Sequence, residues 1–306
     1  MSIAVCRGAF SIGLIALCCS LPGLAAQDAK PSATEIVRRT IENECARGDH
    51  ASYMFRDFKQ TIKGSQTKLI VETRDATAGM LVEVDGKPLT PEQKKAENDR
   101  LNYLIHDPEA LQKKRKEEKE DEDRTLRIMK ALPDAFIYEA DGTEEGSADI
   151  GREGHQLLRL KFRPNPRYSP PSHTEQVLTG MQGYLLVDEQ EHRIAKIDGT
   201  LFKDVGFGWG ILGHLDKGGK FLVQQADVGN RHWEVTRMNL DFTGKILLFK
   251  SLKIKSTEIF SDFRPAPVNL SFKEGVELLR KQHEEMANNH AAKQPAKSAD
   301  VQPTLH

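Results

Sequence analysis

His283-Glu284 opens like the helix of a zinc protease, in which two histidines four residues apart hold the metal and the glutamate between them acts as general base. The second histidine would fall at position 287, which is alanine, and His290 lies two turns beyond His283. A solvated helix with scattered histidines accounts for this pattern better than a metal centre. The other histidines (His50, His106, His155, His173, His192, His214, His232 and His306) show no ligand spacing. Asp188, Glu189 and Glu191 are close enough in sequence for acid–base chemistry. At a hairpin turn such carboxylates are expected to be solvated, and catalytic acid pairs need opposed positions in a cleft. Gly206, Gly208 and Gly210 form a G-x-G-x-G in VGFGWG. A phosphate-cradling loop follows a strand and opens a helix, with a Lys-Ser/Thr or a later acid. Here no Lys-Ser/Thr follows and both flanks read as strands, so a bent sheet connection is expected. There is no G-x-S-x-G elbow, and the sequence proximity of Cys45 and His50 does not make a catalytic pair. The chain is therefore read as a non-enzyme, with no catalytic residues, no metal ligands and no cofactor.

The elements that would position any site begin with an export signal. Met1 to Gly8 carries Arg7 and no acid, Ala9 to Leu21 is an apolar run, and Leu24-Ala25-Ala26 supplies small residues for cleavage. The run is shorter than the roughly 20 residues of a membrane-spanning helix. Residues 1–26 are thus expected to be removed, leaving a periplasmic or secreted chain with no later transmembrane segment. Three of the four cysteines, Cys6, Cys18 and Cys19, would leave with the signal. Cys45 then has no internal disulfide partner and is expected to be a small buried group on the stripe Val37, Ile41, Cys45. With 44 Lys+Arg against 45 Asp+Glu, no basic excess points to nucleic acid.

Ser32 and Glu35 predict a capped helix to about Ala46. Period-two segments follow at 53–62, 68–74 and 80–84, with a turn at Asp85-Gly86. Thr90-Pro91-Glu92-Gln93 and Asp107-Pro108 each predict a helix start. Positions 113–124 are all charged. Lys113/Glu117, Lys114/Glu118 and Lys116/Glu120 are spaced to pair on a helix surface, and a helix polar all round is expected to project into solvent. From Phe136 the period returns to two over seven candidate strands separated by short turn-like connections, which means antiparallel hairpins. Thr243-Gly244 is expected to be one of those turns. Thr174 to Met181 reads as a short helical turn, Ser271 with Glu274 as the cap of a terminal helix to about Asn289, and residues 291–306 as disordered.

An export signal, one helix, and long antiparallel strands beginning Tyr-Met-Phe-Arg-Asp-Phe-Lys-Gln at 53–60 resemble the LolA/LolB-like lipoprotein-carrier superfamily. More narrowly, the chain resembles a group of uncharacterised exported bacterial proteins of that fold class. DGKPLT before the charged helices, Gly183-Tyr184-Leu185-Leu186-Val187-Asp188, Leu247-Leu248-Phe249-Lys250-Ser251 and Phe260-Ser261-Asp262-Phe263 carry that likeness. The resemblance implies an α+β fold: a strongly curved, mostly antiparallel sheet forming an open half-barrel, with an N-terminal helix and an inserted charged helical pair. The domain would span 27–265 with the insert at about 90–131, followed by a helix and tail over 266–306. It also implies an apolar cavity for a lipid, a lipoprotein acyl chain or another apolar ligand, each buried methylene contributing about 0.8 kcal/mol. Leu240, Phe242, Leu247, Phe249 and Trp209 are the candidate lining. The alternative is a cell-envelope interaction module that docks a protein partner through the helical insert.

Overall fold

The period-two segments pair into an antiparallel sheet that brings the first strand and the last side by side. The computed structural model describes residues 31–46, 52–207, 213–246 and 250–293. The expected signal, the loop holding Gly208, Trp209 and Gly210, the segment Leu247 to Phe249 and most of the expected tail lie outside them. The elements in order are α1 (Ala33–Ala46), β1 (Ser52–Thr61), β2 (Gly64–Val71), β3 (Ala78–Val84), β4 (Lys87–Pro88), α2 (Pro91–His106), α3 (Pro108–Ala135), β5 (Phe136–Glu145), β6 (Gln156–Pro164), α4 (His173–Gln176), β7 (Met181–Asp188), β8 (Arg193–Leu201), β9 (Val205–Phe207), β10 (Gly213–Leu215), β11 (Lys220–Asp227), β12 (Trp233–Ile246), β13 (Lys250–Ala266) and α5 (Phe272–Lys293). The strand order is β4-β3-β2-β1-β13-β12-β11-β8-β7-β6-β5, with β9 and β10 attached to β12. The sheet is open. Register shifts interrupt the ladders at Met54/Arg56, Thr67/Lys68, Ala140/Thr143, Leu186/Val187 and Gln224/Gln225. Each inserts a residue that bends its strand and increases local twist, which curves the sheet.

The helix starts are built as their sequences predict. The Thr90 hydroxyl accepts from the Gln93 N–H while the Gln93 side chain accepts from the Thr90 N–H. Asp107 accepts from the N–H groups of Glu109 and Ala110, and Ser271 and Glu274 make the same reciprocal cap on α5. The helix α5 runs to Lys293, so Ala291 to Lys293 are helical rather than part of a tail. The short segment after Ser172 is α4 followed by a 3-10 turn at Val177–Gly180.

Two main apolar clusters lie on opposite faces of the sheet. Pairing register places Tyr138, Phe162, Leu185, Ile197, Phe221 and Leu240 on one face. There α1 and the end of α3 supply Ile36, Val37, Ile41, Leu132 and Ala135. Met54, Leu69 and Met80 share the other face, where α2 and α5 bring Leu101, Phe272, Val276 and Leu279. Cys45 is partly buried against the first cluster. Burial, ahead of nearby charges, pushes its thiol pKa up, which makes it a poor nucleophile.

Three expectations are corrected. Thr243-Gly244 is not a turn: β12 continues to Ile246, and a Cβ at Gly244 would strike the His214 carbonyl of β10, so glycine serves a close backbone approach. The strand expected at 68–74 runs from Gly64 to Val71, because the β1–β2 turn closes at Ile62-Lys63. The charged helix does not simply project. Leu111 packs against the second cluster, Glu118 accepts from the Thr77 N–H at 3.0 Å, and Ile128 and Met129 reach the first cluster. Only Lys119 to Thr125 is exposed at every position.

The edge strand β3 shows how α2 is held. Beyond its short pairing with β4, β3 would leave backbone groups open to edge-to-edge association. The Glu97 carboxylate accepts from the Leu81 N–H at 2.8 Å, and Arg100 donates to the Gly79 carbonyl at 2.6 Å. Gly183, in β7 between β6 and β8, has no room for a side chain: a Cβ there would strike the Asp198 carbonyl and the Gly199 backbone. Gly183→Ala is expected to destabilise the fold by about 1–3 kcal/mol through forced strand displacement, measured as a lowered urea midpoint with an unchanged m-value.

Candidate functional site

Two of the three carboxylates expected to be solvated at the β7–β8 turn, Asp188 and Glu191, are instead buried. Asp188 is 0% exposed. One of its oxygens caps the turn by accepting from the N–H groups of Gln190 and Glu191, both at 3.0 Å. The other lies 2.7 Å from His155 Nδ1. Among the described residues no hydroxyl or thiol is hydrogen-bonded to the other nitrogen of His155, so the pair lacks the nucleophile that acyl-transfer chemistry needs. Glu191 is buried and bonds Arg152 at 2.7 Å and Arg231 at 2.8 Å. It therefore ties the β7–β8 turn to the β5–β6 and β11–β12 connections. Burial alone would raise its pKa, but the bonds from Arg231 and Arg152 outweigh that and hold the carboxyl below its usual range. Only Glu189 of the three is exposed. The signal missed in the sequence is the pair of arginines, which sit in other loops.

On the helix side of the same turn, Arg193 Nε meets Glu44 at 3.0 Å with both side chains buried. The Glu44 carboxylate also accepts from the Ile194 N–H, and Asn43 donates to the carbonyls of Glu191 and His192. These contacts place α1 over β8.

Of the expected lining residues, Leu240 and Phe242 lie on the α1 face of β12. Phe242 is 8% exposed and lies over Gly219, where a Cβ would strike its ring, so it is pinned in the core. Leu240 is half-buried opposite Phe221, whose ring covers Gly199 in the same way. Leu247, Phe249 and Trp209 fall outside the described residues. Period two and the register place Ile246, Leu252 and Ile254 on the Leu240 face. Ile246 and Ile254 are 39% and 38% exposed. The apolar strip thus continues outward from the core along β12 and β13.

Beside this strip lies an acidic pair that sequence reasoning did not select. Register puts Glu258, Lys59, Asp57 and Phe260 on the same face. Glu258 is buried and bonds Lys59 at 2.5 Å. One Asp57 oxygen is buried with no hydrogen-bond partner. Burial, and then the Glu258 charge, push the Asp57 pKa up, while Lys68 and Lys59 offset part of the rise. Period two was visible at these strands, but the neighbourhood of Asp57 and Glu258 depends on β1 pairing with β13, about two hundred residues apart. Among the described residues no three His, Cys, Asp or Glu side chains gather to hold a metal, and no helix is long and apolar enough to cross a membrane.

No family model matches the chain, and no curated protein matches it. Solved structures similar to the chain include the following three. A putative outer membrane lipoprotein-sorting protein domain from Vibrio parahaemolyticus is 10% identical over 78% of this chain and 97% of its own, with a TM-score of 0.29. A DUF1329 family protein from Desulfovibrio piger is 10% identical over 77% and 93%, with a TM-score of 0.25. MucB in complex with MucA(peri) is 9% identical over 77% and 100%, with a TM-score of 0.22.

The two buried acids have opposite pH signatures. An acid whose pKa is raised on folding destabilises the fold once ionised, so its cost appears as pH rises through the raised value. Asp57→Asn is expected to be more stable than the parent at neutral pH, with the gap closing below about pH 4 where both carry a neutral group. Glu191 stabilises the fold above the ordinary carboxylate range and loses that contribution as pH falls through its lowered value. Glu191→Gln is expected to cost about 1–3 kcal/mol at neutral pH, the difference shrinking in acid. Denaturant unfolding across pH checks both signs.

Proposed function

We propose that this is an exported, periplasmic or secreted binding protein without enzymatic activity, which takes a lipid, a lipoprotein acyl chain or another apolar ligand on the α1 face of the sheet. The observation that carries the reading is the strip from buried Phe242 through half-buried Leu240 to exposed Ile254 and Ile246, side by side on β12 and β13. Exposed aliphatic side chains that adjoin a core on one sheet face favour an apolar occupant, because covering them removes apolar surface from water. Leu240 and Phe242 are the proposed lining within the described residues. Leu247, Phe249 and Trp209 are proposed to extend it. The binding face would need no cofactor, and the apolar leader with its small-residue cleavage site at Leu24-Ala25-Ala26 supports export.

A second reading, docking of an envelope protein on the helical insert, is favoured by the stretch Lys119–Thr125, which is exposed at every position and packs on nothing. The two separate cleanly. Ile254→Glu places a carboxylate on the strip without emptying the core and is expected to weaken uptake of a fluorescent fatty acid by roughly tenfold or more. Ile62→Glu, at the exposed β1–β2 turn, is expected to leave uptake unchanged. Protein purified gently and examined by native mass spectrometry is expected to carry lipid. Recovery without lipid, together with no uptake by the parent chain, overturns the binding reading. Lost cross-linking to an envelope protein on reversing the charges of Lys119 and Glu122, with uptake intact, favours the second.

A further inference from the structure

A separate cavity of about 350 Å³ lies on the other face of the sheet, between α2, α5 and β3. Its floor is apolar, made by Met80 and Leu89 with the backbone of Leu81. Its walls carry two cations, Arg280 and Lys94, and two acids, Glu97 and Glu284. Arg280 donates only to two amide oxygens, Asn98 Oδ1 at 3.4 Å and Asn102 Oδ1 at 3.0 Å, and meets no carboxylate among the described residues. Lys94, one turn before Asn98 on α2, likewise has no acid partner there. One of the acids is already used: Glu97 holds Arg100 through both oxygens and accepts from the Leu81 N–H. Glu284 stands exposed at the mouth.

His283 reports the resulting field. Its neighbours are Lys94 on α2, Glu284 on α5, and Arg56 and Glu83 on the sheet beneath, the last two bonded to each other at 2.7 Å. Burial, and then Lys94, push the imidazole pKa down, with Glu284 opposing. Arg280, Lys94 and the half-buried His283 line one cavity, where an incoming anion would accept hydrogen bonds from all three groups at once.

We propose that this cavity binds an anionic group, carboxylate or phosphate, attached to a short apolar tail. Arg280 and Lys94 receive the charge, His283 supplies a further N–H donor, and the tail rests on Met80 and Leu89. The volume is at the small end of ligand cavities, which run from about 300 to 1,000 Å³. Register sets the site on the face opposite Leu240, so it is independent of the proposed apolar strip.

The test uses the full mature chain and follows the His283 ring resonances by NMR while hexyl phosphate, hexanoate, inorganic phosphate or hexylamine is added. Hexyl phosphate and hexanoate are expected to shift them saturably and raise the imidazole pKa, with hexylamine inert. Arg280→Gln, which keeps a donor for the two asparagines, is expected to weaken binding by roughly tenfold or more. Lys94→Gln, at an exposed position on the other helix, is expected to weaken it without any change in thermal stability. Ile254→Glu is expected to leave these shifts unchanged, which separates failure here from failure of the apolar strip. Absence of a saturable shift with either anion, or equal affinity in both cavity variants and the parent, overturns the proposal. Equal affinity for inorganic phosphate and hexyl phosphate overturns the part assigned to the tail.

Discussion

The fold turns on the four residues between β7 and β8. Asp188 caps that turn from within, Glu191 draws in Arg152 and Arg231, and Arg193 just beyond it pairs with Glu44 of α1. Of these pairs Arg193–Glu44 has both partners buried; such a pair contributes little net stability compared with apolar groups of the same shape, yet removing one partner costs about 3–5 kcal/mol because the other charge is stranded. Their effect is to permit one arrangement. With Arg193 and Glu44 both buried, α1 cannot slide along β8 without exposing a charge to an apolar environment, and the first cluster is assembled beneath it. The position of the helix over the sheet is therefore set by electrostatics, while apolar burial supplies the energy.

The two faces then divide the work. One carries α1 at the β5–β8 end and an apolar strip that runs out from the core along β12 and β13. The other carries α2 and α5 at the β1–β3 end. A single sheet thereby supports two cores, with an apolar strip on one face and a cavity lined by Arg280 and Lys94 on the other. The same helix that closes the second core also closes the sheet edge, since Glu97 and Arg100 occupy the backbone groups of β3 that another strand would otherwise use.

Local signals in the sequence were legible where the physics is local. The caps at Thr90, Asp107 and Ser271, the Asp85-Gly86 turn (φ 51° and 69°) and the alternation along β1 and β6 all depend on residues a few positions apart. The fold class followed from them. What failed depended on partners far away in the chain. Gly244 looked like a turn residue because glycine permits turns, but here it permits the approach of β10. Asp188 and Glu191 looked solvated because carboxylates at hairpins usually are, and only the arrival of Arg152, Arg231 and His155 makes burial tolerable. Of the candidate site, Leu240 and Phe242 could be placed on one face by period alone. The neighbouring Asp57 and Glu258, and the cavity around Arg280, arise from pairing between the first strand and the last and from the docking of the final helix.

That pairing has a consequence for the order of events in the life of the chain. The hairpins β1 to β3 reach the rest of the sheet only through β13, and α5 supplies Phe272, Val276 and Leu279 to the cover of their apolar face. Nearly the whole polypeptide must be present before this half can be completed, and long-range strand pairing of this kind is slow. A ribosome or a translocation pore would therefore deliver most of the chain before its beginning can lock. The topology itself acts as a timer, keeping the leading segment threadable until the trailing one has arrived.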